Sequence, residues 1–104
     1  MDETKQKRLE AAGWRVGTAS DFLELSPEEA EYVELKLALG SYLRDIRREH
    51  RWTQTQMAHR LGSSQSRVAK MEAADRSVTV DLLVKSLFSI GASPKDVGRV
   101  IAAV

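Results

Sequence analysis

The chain of 104 residues contains no cysteine, which excludes a disulfide framework and any thiolate metal site. Histidine is almost as scarce. His50 and His59 have no acidic or thiol partners at ligand spacing, so no metal and no cofactor are expected. No apolar run approaches the roughly 20 residues that a membrane span needs. The opening MDETKQKRLE lacks the apolar core of a secretory signal. A soluble cytoplasmic protein with no membrane partner is the expectation. Parts for catalysis are missing too: there is no phosphate-cradling glycine loop and no credible pairing of histidine with carboxylate, so an enzyme is not expected. Neither an internal repeat nor a low-complexity tract is present. Proline occurs only as Pro27 and Pro94, each directly after a serine.

What remains is a globular composition, 42% hydrophobic, of a size that makes one small domain with a limited core. The formal net charge is only +1, but its distribution is uneven. Residues 1–43 carry a net −4 and residues 77–104 a net +1. Residues 44–76 carry +4, from Arg44, Arg47, Arg48, Arg51, Arg60, Arg67, Lys70 and Arg76 against Asp45, Glu49, Glu72 and Asp75. A basic segment of this kind is the electrostatic footprint of a nucleic-acid binder where it coincides with a suitable helix pattern.

The apolar periodicity predicts an all-α bundle of about five helices. Residues 1–25 read as an N-terminal arm, with Trp14, Val16, Phe22, Leu23 and Leu25 able to dock and a short strand near Arg15–Val16 as an option. Residues 26–104 form the domain. Ser26-Pro27-Glu28-Glu29 opens a helix by cap, preset proline and capping box. That helix runs to about Arg48, with Leu35, Leu39, Tyr42, Leu43 and Ile46 on one face and Ala30, Val33 and Leu37 as a second strip. Gly40 is an interior flaw that either permits close packing or splits the helix. Thr53 and Gln56 begin the next helix, and Ser63 or Ser64 the one after. Ser77 or Thr79 starts a helix to about Ile90 that buries Leu82, Leu83, Leu87 and Phe88, with Gly91 as its stop. Ser93-Pro94 starts the last, Lys95–Ala103.

The stretch TQTQMAHRLGSSQSRVAKME, residues 53–72, carries the chemistry. Met57, Ala58 and Leu61 give one short helix an apolar and small face. Gly62 sits at a sharp turn, and Val68 and Met71 pack a second helix back on the first. Two helices crossing at roughly 90–120° need this arrangement, the form of a DNA-reading helix-turn-helix. The second helix then presents Gln65, Ser66, Arg67, Ala69 and Lys70 outward. A glutamine amide matches adenine N6 and N7, and Arg67 and Lys70 match guanine O6 and N7 or phosphate. Ser64, Ser66 and the helix-start N–H groups suit phosphate oxygens. Gln54 is a phosphate-clamp candidate, and Arg48 is a further cationic contact.

These residues resemble the helix-turn-helix of the Xre/Cro family of repressors. The shared pattern is T-Q-x-x-[apolar]-A-x-x-[apolar]-G-[small]-[small]-Q-x-x-[apolar]-x-x-[apolar]-E, and the likeness extends over about residues 41–91. The resemblance implies a lambda-repressor-like fold, readers at Ser64, Gln65, Ser66 and Lys70, a clamp at Gln54, and a structural ion pair between Arg47 and Glu72. One departure stands out. The family commonly has glycine soon after the glutamate, whereas this chain has Ala73-Ala74-Asp75, so either the turn differs or Asp75 adopts the unusual backbone. Across most of its length the chain is also similar to HigA-like antitoxins. That likeness implies double-stranded DNA with an inverted repeat and a RelE/HigB-like toxin as partners. A stand-alone or prophage Xre-type regulator with no toxin is the alternative. A homodimer is expected, with Val97, Val100, Ile101 and Val104 contributing to its interface, because one reading helix covers only a few base pairs.

Overall fold

The computed structural model describes residues 25–104, and these form five α-helices. The arm expected over residues 1–25, including the short strand option, lies outside the described residues except for Leu25. Helix α1 spans Pro27–Glu49, α2 Gln54–Leu61, α3 Gln65–Ala73, α4 Val80–Ser89 and α5 Pro94–Ala102. Each begins on a hydroxyl. Ser26, Thr53, Ser64, Thr79 and Ser93 each accept a hydrogen bond from the backbone N–H three residues on. Thr53 with Gln56, and Ser93 with Asp96, close full capping boxes. Of the alternatives open from sequence, Ser64 rather than Ser63 caps α3, and Thr79 rather than Ser77 caps α4.

Helix α1 is the spine, and α3, α4 and α5 pack against it while α2 packs on α3. Gly40 does not split α1, which is continuous over 23 residues. A Cβ at this position would lie 2.6 Å from the Met71 carbonyl oxygen and 3.0 Å from that of Glu72. Glycine is therefore needed where α1 backs onto the C-terminal turn of α3. The core is Leu39 and Leu43 from α1, Met57 and Ala58 from α2, Val68 and Met71 from α3, Val78, Leu83 and Leu87, and Val97 from α5.

Two expectations are corrected and one open alternative is resolved. Phe88 is 43% exposed. It lies about 100° around α4 from the fully buried Leu87, and the buried place goes to Ser86, whose hydroxyl donates to the Met71 sulfur at 3.4 Å. Val97 is a core residue, 5% exposed, and so is not available to an interface with another chain. The turn after α3 is made by Ala74, with φ 53°, and not by a left-handed Asp75. Asp75 instead orders the next step, its carboxylate accepting from the Ser77 N–H and hydroxyl at 3.0 and 2.6 Å.

Candidate nucleic-acid interface

Between α2 and α3 the chain turns at Gly62, whose φ of 63° is natural for glycine. The Ser63 N–H then donates to the Ala58 carbonyl at 2.8 Å, closing the end of α2. Because Met57, Ala58, Val68 and Met71 are all buried, the rotation of α3 on α2 is fixed. Its other face carries Gln65, Ser66, Arg67 and Lys70, all exposed, with Ser64 exposed at its start. Arg48, at the end of α1, is exposed as well.

A chain of hydrogen bonds runs from that face into the protein. The Gln65 amide donates to Gln54 Oε1 at 2.6 Å, and Gln54 Nε2 donates to Glu72 Oε1 at 3.3 Å. The Glu72 carboxylate, its side chain only 1% exposed, takes a forked pair from Arg47: Nε to Oε2 at 2.6 Å and Nη2 to Oε1 at 3.0 Å. The remaining end of that guanidinium donates to the Trp52 carbonyl at 3.0 Å. Hydrogen bonding to Glu72 raises the Arg47 pKa, while desolvation opposes it. The carboxylate is buried and the guanidinium partly so, which makes this pair structural, the role that the resemblance implies. Arg44 also leans on Glu72 at 3.6 Å, so its charge is partly spent inside the protein. Trp52 is half-buried and packs against the core: its ring stacks on His50 at 4.2 Å, and the Arg60 guanidinium lies over it at 4.1 Å.

Beside the exposed face lies an open hollow of about 390 Å³. Ser64, Ser66, Arg67 and Lys70 meet Ser77 there, over Val78 and Leu82. Sequence reading missed Ser77, which comes from the α3–α4 connection. Its only advance signal was the non-glycine turn AADRS that precedes it. The hollow unites three serines and two cations, and Ser64, Ser66 and Arg67 lie at the start of α3, where unsatisfied N–H groups and the helix dipole favour an anion. Gln54 and Gln65 are joined directly by their amides, and Arg48 stands apart from the hollow.

The architecture of two short helices joined at a left-handed glycine, locked to a longer helix by a partly buried arginine–glutamate fork, is matched at sequence level. A family model described as Helix-turn-helix fits residues 43–85. Residues 43–85 are a helix-turn-helix domain of the Xre/Cro type. No curated protein and no solved structure matches the chain. The helix-turn-helix domain implies DNA binding, and domains of this type are generally regulators rather than enzymes. Among the described residues, no helix is long and apolar enough to cross a membrane. No cluster of three or more acidic, histidine or cysteine side chains suited to a metal occurs among them either.

Proposed function

We propose that this protein is a sequence-specific transcriptional repressor acting on an inverted-repeat operator. The observation that carries the reading is the amide pair Gln65–Gln54, tied through the buried Glu72 to Arg47. A glutamine held this way meets a base edge already oriented, which is what bidentate recognition of adenine requires. Gln54 keeps a second amide hydrogen for phosphate while the first serves Glu72. Ser64, Ser66 and the N–H groups at the start of α3 take phosphate oxygens, and Arg67 and Lys70 take guanine or phosphate. Arg48 adds sequence-independent attraction.

The repressor acts as a homodimer, because two half-sites one helical turn apart supply the length of sequence that one reading helix lacks. Of the four C-terminal residues expected at its interface, Val97 is spent in the core and Val100 is half-buried against it. The dimer contact must therefore extend beyond α5. The full reading is the antitoxin of a type II toxin–antitoxin pair that represses its own operon, supported by the flanking likeness to HigA-like proteins and by the acidic start of α1. Selection of binding sites from random duplexes tests the repressor. Enrichment of an inverted repeat supports it, and uniform weak binding sinks it. Rescue of growth on co-expression with an adjacent RelE/HigB-like gene product tests the antitoxin role. A neighbour that is not toxic leaves the stand-alone regulator in its place.

A further inference from the structure

Four large hydrophobic side chains are conspicuously exposed among the described residues: Tyr32, Phe88, Ile101 and Val104. Three of them, Tyr32 (45%), Ile101 (43%) and Val104 (53%), border one groove of about 550 Å³ between the start of α1 and the end of α5. Leu35 completes its apolar floor, and Glu28, Glu31 and Glu34 line it from α1. Every one of these residues lies outside the 43–85 helix-turn-helix match. We infer that this groove docks a positively charged amphipathic helix of a partner protein. The inference deepens the protein-partner half of the antitoxin reading and rests on it only for the existence of such a partner.

The shape favours a helix. Tyr32 and Leu35 are one turn apart on α1, and Ile101, in the last turn of α5, and Val104, just beyond its end, border them. An apolar trough between two helices receives the i, i+3, i+4 ridge of a third. The charge fixes the sign of the occupant. Glu28 and Glu31 are both exposed, about 4.5 Å apart along the axis. Hydrogen bonds from its own backbone N–H and from Ser26 hold the Glu28 carboxyl below its ordinary value, so it stays ionised. The helix dipole explains a carboxylate at Glu28 but not Glu31 a turn further on, nor the apolar side chains left open beside it. Phosphate backbones and anionic lipid surfaces are repelled by these carboxylates. A second copy presenting the same groove brings carboxylate against carboxylate. Lysine or arginine flanking an apolar ridge satisfies both halves of the groove.

The experiment uses the full chain and two synthetic helical peptides of about 15 residues. Both carry the same leucine ridge, one flanked by lysine and the other by glutamate. Fluorescence anisotropy should show the lysine peptide binding about ten-fold more tightly, with the preference shrinking as salt rises. Glu31→Lys should weaken that binding about ten-fold while circular dichroism and DNA binding stay unchanged, and Ile101→Glu should weaken it about as much with circular dichroism unchanged; Val104→Glu serves should Ile101→Glu fail to fold. Equal binding of the two peptides, or undiminished binding to the folded variants, overturns the inference. So does a dimer of the protein alone that Ile101→Glu dissolves, which gives the groove to a second copy. Binding that appears only after removal of residues 1–24 gives it to that segment instead. The peptide assay contains no DNA and no toxin, so its failure leaves the repressor reading standing, and a failed operator selection leaves the groove standing.

Discussion

Replacing Gly40 with alanine separates two opposing effects by sign. In a solvent-exposed helix the change stabilises by about 1 kcal/mol, through lower backbone entropy in the unfolded chain. At Gly40 the new methyl lies 2.6 Å from one backbone oxygen and 3.0 Å from another, where ordinary contact begins at 3.4 Å. Neither oxygen can swing aside, since both belong to the last turn of α3, so α1 and α3 must part by several tenths of an ångström. Overpacking of this kind costs about 1–3 kcal/mol. The net expectation is a loss of up to about 2 kcal/mol, which for a domain near this size lowers Tm by up to roughly 15 °C. Gly98 is the internal control. It lies within α5, where an added methyl would meet nothing inside 4 Å, so Gly98→Ala should raise Tm by about 4–8 °C. Thermal unfolding followed by circular dichroism measures both. If Gly40→Ala matches or exceeds the wild-type Tm, the close approach of α1 to α3 is not real. Operator affinity should fall with Gly40→Ala as well, because displacing α3 displaces Glu72 and the amide chain it anchors.

Arg47→Ala strands the buried Glu72 carboxylate and should cost about 3 kcal/mol in chemical denaturation; a loss under about 1 kcal/mol means that Arg44 and Gln54 suffice to hold it. Gln65→Ala should cost about 1–3 kcal/mol at one base position while sparing nonspecific binding, and a uniform loss over all sequences removes it as a reader. Arg48→Ala should weaken all sequences alike and reduce the salt slope by about one, and an unchanged slope excludes a phosphate contact. Hydrogen bonds from Ser77 depress the Asp75 pKa below its ordinary value, so Asp75 adds stability above about pH 3.9 that is lost as pH falls through its folded-state value. Asp75→Asn should flatten that part of the acid unfolding curve, and an unaltered acid limb rules out the contribution.

What the sequence revealed and what it withheld divide along a physical line. The hydroxyl caps at Ser26, Thr53 and Ser93 were legible, and those of α3 and α4 were narrowed to two candidates each, because a cap acts within four residues of chain. The Arg47–Glu72 fork and the burial of Met57, Ala58, Val68 and Met71 were legible because the motif dictates them. Phe88 and Val97 were misassigned because both helices carry more apolar residues than one buried face accepts, and neighbouring elements decide which are chosen. Gly40 stayed ambiguous for the same reason: its meaning is the α3 backbone across from it. Ser77 entered the hollow through a turn whose left-handed residue, Ala74, has no sequence signal of the sort that glycine gives. The groove at the other end of α1 needed α5 in place before Tyr32 and Ile101 could be seen as neighbours.

Helix α2 has only eight residues, and its main packing partner is α3. Isolated helices of that length do not persist in water. The Gln54 link to Glu72 helps hold its N-terminal end in place. Opening of α2 alone therefore exposes little apolar surface compared with global unfolding, and its amides should exchange with solvent first. Such an opening also releases Gln54 from Gln65, so the protein forfeits sequence discrimination at a temperature where most of its fold survives. DNA seated across the start of both helices would close that gap, delaying exchange in α2 more than anywhere else in the domain.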